Sequence, residues 1–183
     1  MWADCCLRRG SWRGGTGVRE LGGRSNAGEA WTVYIDGGAR GNPGPAAAAG
    51  VITDGSRNQR QFCVYLGVTT NNVAEYLALV WVLEEARRAK VAEMTVFTDS
   101  ELLARQVTGA YRVRSPRLVD LHGQAERLIR GLRRFEIRHV RREENRAADS
   151  LVNRTLDWVG RYAALQSARA DEGSVRADEG SGP

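Results

Sequence analysis

Trp31-Thr32-Val33-Tyr34-Ile35-Asp36-Gly37-Gly38-Ala39-Arg40-Gly41-Asn42-Pro43-Gly44-Pro45 changes character at its sixth residue. The first six positions alternate and are rich in β-branched and aromatic side chains, the pattern of a strand. Residues 37–45 are dominated by Gly and Pro and read as a turn. Asp36 stands at the join. In open α/β sheets the crevice beyond the carboxyl ends of strands is where ligands bind, so an acid there is placed for chemistry. Taken alone, an aspartate at that point is equally an ordinary turn former.

Working outward, residues 46–53 and 59–66 read as two more strands, joined by a hairpin turn at Thr53-Asp54-Gly55-Ser56. Residues 72–89 turn helical: Glu75, Leu79, Val82 and Ala86 share one stripe, and Val73, Leu77, Val80 and Trp81 its neighbour. A short strand follows at 94–98 and a short helix at 100–107. Leu118, Leu121, Ala125, Leu128 and Ile129 form a third helical face; residues 135–140 alternate as a strand, and a last helix covers 146–164. Three strands in succession, then strands alternating with helices, predict an α/β domain with a mixed sheet and helices packed on it.

Three further acids fall at element ends. Asp99 closes the fourth strand, and like Asp36 it follows an aromatic by two residues (Phe97, and Tyr34 before Asp36), so each acid shares a strand face with a ring. Glu75 lies one turn into the first long helix. Asp149 lies one turn into the last, four residues after Asn145, a residue type suited to an N-cap. Each acid singly has a local explanation in helix-dipole or turn chemistry. Four that converge would repel one another and call for a hard divalent cation, which prefers oxygen ligands. Paired ions of that kind can activate a water and stabilise the leaving oxygen of a phosphodiester.

The rest of the chain sets bounds. With 183 residues, one domain is expected, and the formal net charge of +5 favours polyanionic partners. Residues 1–30 are rich in Gly and Arg and read as a disordered basic tail. Residues 166–183 hold two copies of a polar seven-residue unit, at 167–173 and 174–180, and read as a second disordered tail. That leaves 31–165 as the folded domain. Cys5, Cys6 and Cys63 have neither a disulfide framework nor zinc spacing, which fits a reducing, cytoplasmic setting. There is no apolar run of membrane-spanning length and no secretory signal.

Four stretches then resemble one family. Tyr34-Ile35-Asp36 through Asn42-Pro43-Gly44-Pro45 resembles the first-strand motif of type 1 ribonuclease H, and Thr70-Asn71-Asn72-Val73-Ala74-Glu75 its first-helix motif. Phe97-Thr98-Asp99-Ser100 resembles the fourth-strand motif, and His139 through Asp149 the closing one. The resemblance spans residues 31–158 and implies a ribonuclease H-like fold, with a five-stranded mixed sheet flanked by helices. It implies two Mg²⁺ ions, or Mn²⁺ in their place, held by Asp36, Glu75, Asp99 and Asp149. The implied reaction is hydrolysis of the RNA strand of an RNA–DNA hybrid, leaving a 5′-phosphate and a 3′-hydroxyl. Asn42, Asn71 and Asn72 match positions that touch the minor groove and its ribose 2′-hydroxyls, the groups that distinguish RNA from DNA. Thr70 matches a DNA-phosphate contact, and Asn145 a position near the second metal.

Between the second and third helices, better-known bacterial members carry a basic protrusion. Here only residues 109–116 intervene, a short form resembling members that also attack double-stranded RNA or RNA–DNA junctions. Tyr111, with Arg112 and Arg114, is the residue there suited to stacking on a sugar. His139 matches a histidine that shuttles protons, although its parity with Ile137 and Arg141 also suits a strand residue. Arg142, in the next loop, is the alternative for the electrostatic role. The chain is expected to act as a monomer. Two other readings share the fold: a nucleic-acid-binding module without catalysis, and a DNA-cutting nuclease of the integrase or resolvase kind.

Overall fold

The computed structural model describes residues 30–178, and side chains as far as 166. The expected basic tail, Ala30 apart, lies outside the described residues, as does the end of the second tail. The elements follow the expected order: β1 (Ala30–Ala39), β2 (Gly44–Thr53), β3 (Gln59–Thr69), α1 (Asn71–Arg88), β4 (Glu93–Thr98), α2 (Glu101–Val107), α3 (Pro116–Ile129), β5 (Arg134–His139) and α4 (Arg146–Asp178). A single 3₁₀ turn, Arg142–Glu144, joins β5 to α4.

The sheet order is β3-β2-β1-β4-β5. β1 pairs antiparallel with β2, and β2 with β3, whereas β1–β4 and β4–β5 are parallel. β1 is therefore central, and Tyr34 is level with Phe97. Their rings stack at 4.8 Å. Asp36 and Asp99, each two residues beyond that pair, leave adjacent parallel strands at the same height and on the same face.

Helices cover both faces of the sheet. On one, α1 and α3 bury Val33, Ile35, Val96 and Ile137 against Val73, Leu79, Val82, Leu83, Leu118 and Ala125. α1 is buried on the sheet side and the α3 side alike, which is why its apolar residues form two stripes. Each large aliphatic side chain so enclosed contributes roughly 2 kcal/mol. On the other face Leu151, Val152 and Leu156 of α4 meet Ala47, Ala49 and Val51. β2 is squeezed between the two layers, and its run Ala46–Ala49 is wholly buried.

Two boundaries differ from the sequence reading. β1 runs on to Ala39, three residues into the Gly-rich stretch, because residues 37–39 keep their ladder to β2. α4 continues to Asp178, through the stretch read as a polar tail. Apolar periodicity reports what a helix buries and not where its backbone stops, and Ala, Arg and Glu cost a helix little.

Candidate active site

The carboxyl edge of the sheet is assembled by close backbone approach. A Cβ on Gly37 would lie 2.2 Å from the Glu75 nitrogen and 2.3 Å from the Ala74 carbonyl carbon. Only a residue without a side chain lets the end of β1 touch the first turn of α1, and that contact sets Glu75 beside Asp36. A Cβ on Gly38 would press to 2.8 Å from Val152, so α4 is seated as closely on the other side. Gly41, at φ +98°, turns the chain toward β2.

The outcome is an open cleft of about 220 Å³ lined by all four acids, Asp36, Glu75, Asp99 and Asp149, with Arg142, Arg40 and Asn71 at its walls. Each acid but Asp36 is held by side-chain donors. Ser100 donates its hydroxyl to Glu75 while also accepting the Leu103 N–H as the N-cap of α2. Asn71 Nδ2 donates to the other Glu75 oxygen at 2.9 Å. Asn145 Nδ2 donates to Asp99 Oδ1 and to the Ile35 carbonyl, both at 2.9 Å. Asp149 accepts from Arg142 at 2.6 Å and from Asn153 Nδ2 at 3.0 Å.

Burial and mutual repulsion load this cluster. Asp36 is raised from 3.8 to about 7, first by burial and then by the charges of Asp99 and Asp149, with the Gly37 N–H and Arg142 pulling the other way. Glu75 rises from 4.5 to about 7, again first by burial; the Ser100 and Asn71 hydrogen bonds oppose this, while Asp36 and Asp99 add to it. An all-oxygen set of four acids, two of them costly to ionise, is the donor chemistry that a hard divalent cation relieves. Among the described residues no three His, Cys, Asp or Glu side chains stand close enough together to hold a metal ion as they are placed. The chemistry of these residues fits a hard divalent cation.

The other expected residues divide into two groups. Asn42, Thr70, Asn71 and Asn72 cluster where the β1–β2 turn meets α1. Asn42 accepts the Asn71 N–H at 3.3 Å, Asn71 Oδ1 accepts the Ala39 N–H at 3.2 Å, and Thr70 caps α1 by accepting the Val73 N–H at 3.4 Å. Asn72 is half-buried in the first turn. Arg142 lies in the cleft. His139 and Tyr111 do not line it. His139 is the exposed last residue of β5, level with Thr98 and of the same parity as buried Ile137, which belongs to the α1–α3 face. Tyr111 is exposed on the 108–115 connection with the Arg105 guanidinium 5.0 Å from its ring centre.

Asn145 precedes α4 as expected, but its side chain does not cap the helix. It is fully buried and points back to β1 and β4, leaving Oδ1 with no partner. The sequence reading passed over Ser100, whose signal was adjacency to Asp99, and Asn153, one helical turn after Asp149. It also missed Arg40, which is paired with Asp157 of α4.

Fold and acid cleft together place the protein in the ribonuclease H-like class. Residues 34–155 match the family model described as Reverse transcriptase-like. Bifunctional protein Rv2228c of Mycobacterium tuberculosis is 40% identical over 141 residues, 76% of this chain and 37% of that protein, so the chain spans little more than a third of this relative. Ribonuclease HI of Halobacterium salinarum is 38% identical over 126 residues, 68% of this chain and 63% of that one. The crystal structure of LC11-RNase H1 in complex with an RNA/DNA hybrid aligns with a TM-score of 0.66 at 39% identity, covering 70% of this chain and 98% of that one. The chain belongs to the type 1 ribonuclease H family, in the short form in which eight residues, 108–115, separate α2 from α3.

Proposed function

We propose that the chain is an endoribonuclease that hydrolyses the RNA strand of RNA–DNA hybrids, leaving 5′-phosphate and 3′-hydroxyl ends. The observation that carries this reading is the convergence of Asp36, Glu75, Asp99 and Asp149 on one cleft. The hybrid seen on LC11-RNase H1 supports the same substrate here. Asp36, Glu75, Asp99 and Asp149 would hold two Mg²⁺ ions, with Mn²⁺ as a substitute. Such ions, when bound, activate a water and offset the charge that builds on the phosphate.

The protein's own part is positioning. Adjacent parallel strands hold Asp36 and Asp99 at one height, and the Asn145 hydrogen bonds tie β4 to β1 directly beneath them. Ser100 and Asn71 aim Glu75 into the cleft. Arg142 holds Asp149 and supplies positive charge at the cleft wall. Asn42 and the Thr70-Asn71-Asn72 turn form the shelf beside the acids, where amide groups can meet ribose 2′-hydroxyls in a minor groove. His139 lies outside the cleft, so the electrostatic role falls to Arg142.

A substrate panel tests this: labelled hybrid, double-stranded RNA, a duplex with a single ribonucleotide, and DNA, each with Mg²⁺, Mn²⁺ or EDTA. We expect cutting of the hybrid with either metal and none in EDTA. Cutting of all-DNA duplex would favour the integrase-like alternative; binding with no cutting under any metal would favour a binding module. The double-stranded RNA and junction arms decide whether this short form has those further activities, and sedimentation decides whether it works as a monomer.

A further inference from the structure

Two cations line the acid cleft, Arg142 and Arg40. Arg142 is committed to Asp149 and offsets the charge on Asp36. Arg40 is different, since its partner, Asp157 on α4, lies outside the four acids. Both members of that pair are about half exposed, at 50% and 47%. An ion pair so open to water holds weakly. The backbone beneath Arg40 is fixed: its N–H donates to the Pro45 carbonyl at 2.8 Å, and Ala39 and Asn42 on either side are pinned to Asn71. A guanidinium on a rigid turn at the cleft rim, held by an exchangeable carboxylate, is built to take a phosphate, which it can grip with two parallel hydrogen bonds.

We propose that Arg40 binds a backbone phosphate of the duplex at the rim of the cleft, and that Asp157 occupies it as a competing counterion in the free protein. The proposal rests on the nucleic-acid reading above and adds a binding residue to it. Asp157 is thereby a brake on binding, because its carboxylate must be displaced and also repels the incoming polyanion.

The test is hybrid binding, read by fluorescence anisotropy in the D99N background so that nothing is cut. R40A is expected to weaken binding about tenfold and to reduce the slope of log Kd against log salt by about one. R40K, which keeps the charge, keeps the slope. D157A is expected to tighten binding about threefold, with a smaller gain when Arg40 is also removed. Single neutral methylphosphonates placed in the RNA or the DNA strand identify the partner, since the R40A penalty vanishes on the duplex lacking that phosphate. A penalty that persists on every such duplex overturns the proposal. So does an unchanged salt slope in R40A, or a D157A protein weakened as much as R40A, which marks the pair as a structural clasp. No binding by the D99N protein itself overturns both readings; cleavage by the unaltered chain with R40A binding unmoved overturns this one alone.

Discussion

Ionising Asp36 requires placing a charge that is both buried and within reach of Asp99 and Asp149. Its folded pKa of about 7, like that of Glu75, lies above the ordinary value, so between about pH 4 and pH 7 the folded metal-free protein binds more protons than the unfolded chain. The slope of unfolding free energy against pH is then negative, and stability contributed by these groups at low pH is lost as pH rises through the folded pKa. In EDTA we expect the melting temperature to fall from pH 5 to pH 8, and D36N to fall less. A melting temperature that is flat or rises over that range would show that the two carboxylates are not destabilised. Mg²⁺ should recover the loss, because an ion bound only by the folded state adds about 1.4 kcal/mol at tenfold excess over its Kd. Calorimetry at pH 7.5 with and without Mg²⁺ reads this, and an unmoved midpoint would count against the acid cluster as an ion site.

Element by element, the contact between β1 and α1 carries the site. Gly37→Ala puts a methyl group at 2.2 Å from the backbone of Glu75, which no rotamer change can relieve. We expect a loss of about 1–3 kcal/mol in urea unfolding with an unchanged m-value. Catalysis should suffer more than stability, since α1 must move and takes Glu75 with it. Ser100→Ala removes one cap and one donor: about 1 kcal/mol of stability, and a fall in kcat that Ser100→Thr largely restores. A fall in stability with kcat intact would leave Ser100 as a cap alone. The strands and their order were legible because Tyr34, Asp36, Phe97 and Asp99 alternate and then stop at Gly or at a helix start. The four acids were legible because each falls near the end of a strand or in the first turn of a helix. Ser100 and the Arg40–Asp157 pair were not, since hydrogen bonds across residues 25 or 117 positions apart leave no local pattern. His139 is the reverse case: its place in the motif matched, while its strand parity follows Ile137 and it does not line the cleft.

At the scale of the whole molecule, the chain carries a net charge of +5, whereas its cleft is lined by four acids. On the proposed function, positive charge away from the acids would draw in the polyanion, and a divalent cation would offset the acids where a phosphate approaches. Affinity for the hybrid should therefore weaken steeply with salt, and a KM for hybrid that is insensitive to salt would contradict this division of labour. Trp158 and Tyr162 of α4 stack at 5.4 Å, exposed and away from the helix face that lines the cleft. The most direct measurement is the fate of a 5′-labelled RNA annealed to DNA and incubated with Mg²⁺ and either the unaltered chain or its Asp99→Asn variant. The expected result is RNA fragments ending in 3′-hydroxyls from the unaltered chain, an intact DNA strand, and at least a hundredfold slower cutting by Asp99→Asn, about 2.7 kcal/mol in the barrier. Intact RNA with the unaltered chain, or equal cutting by both proteins, would contradict it.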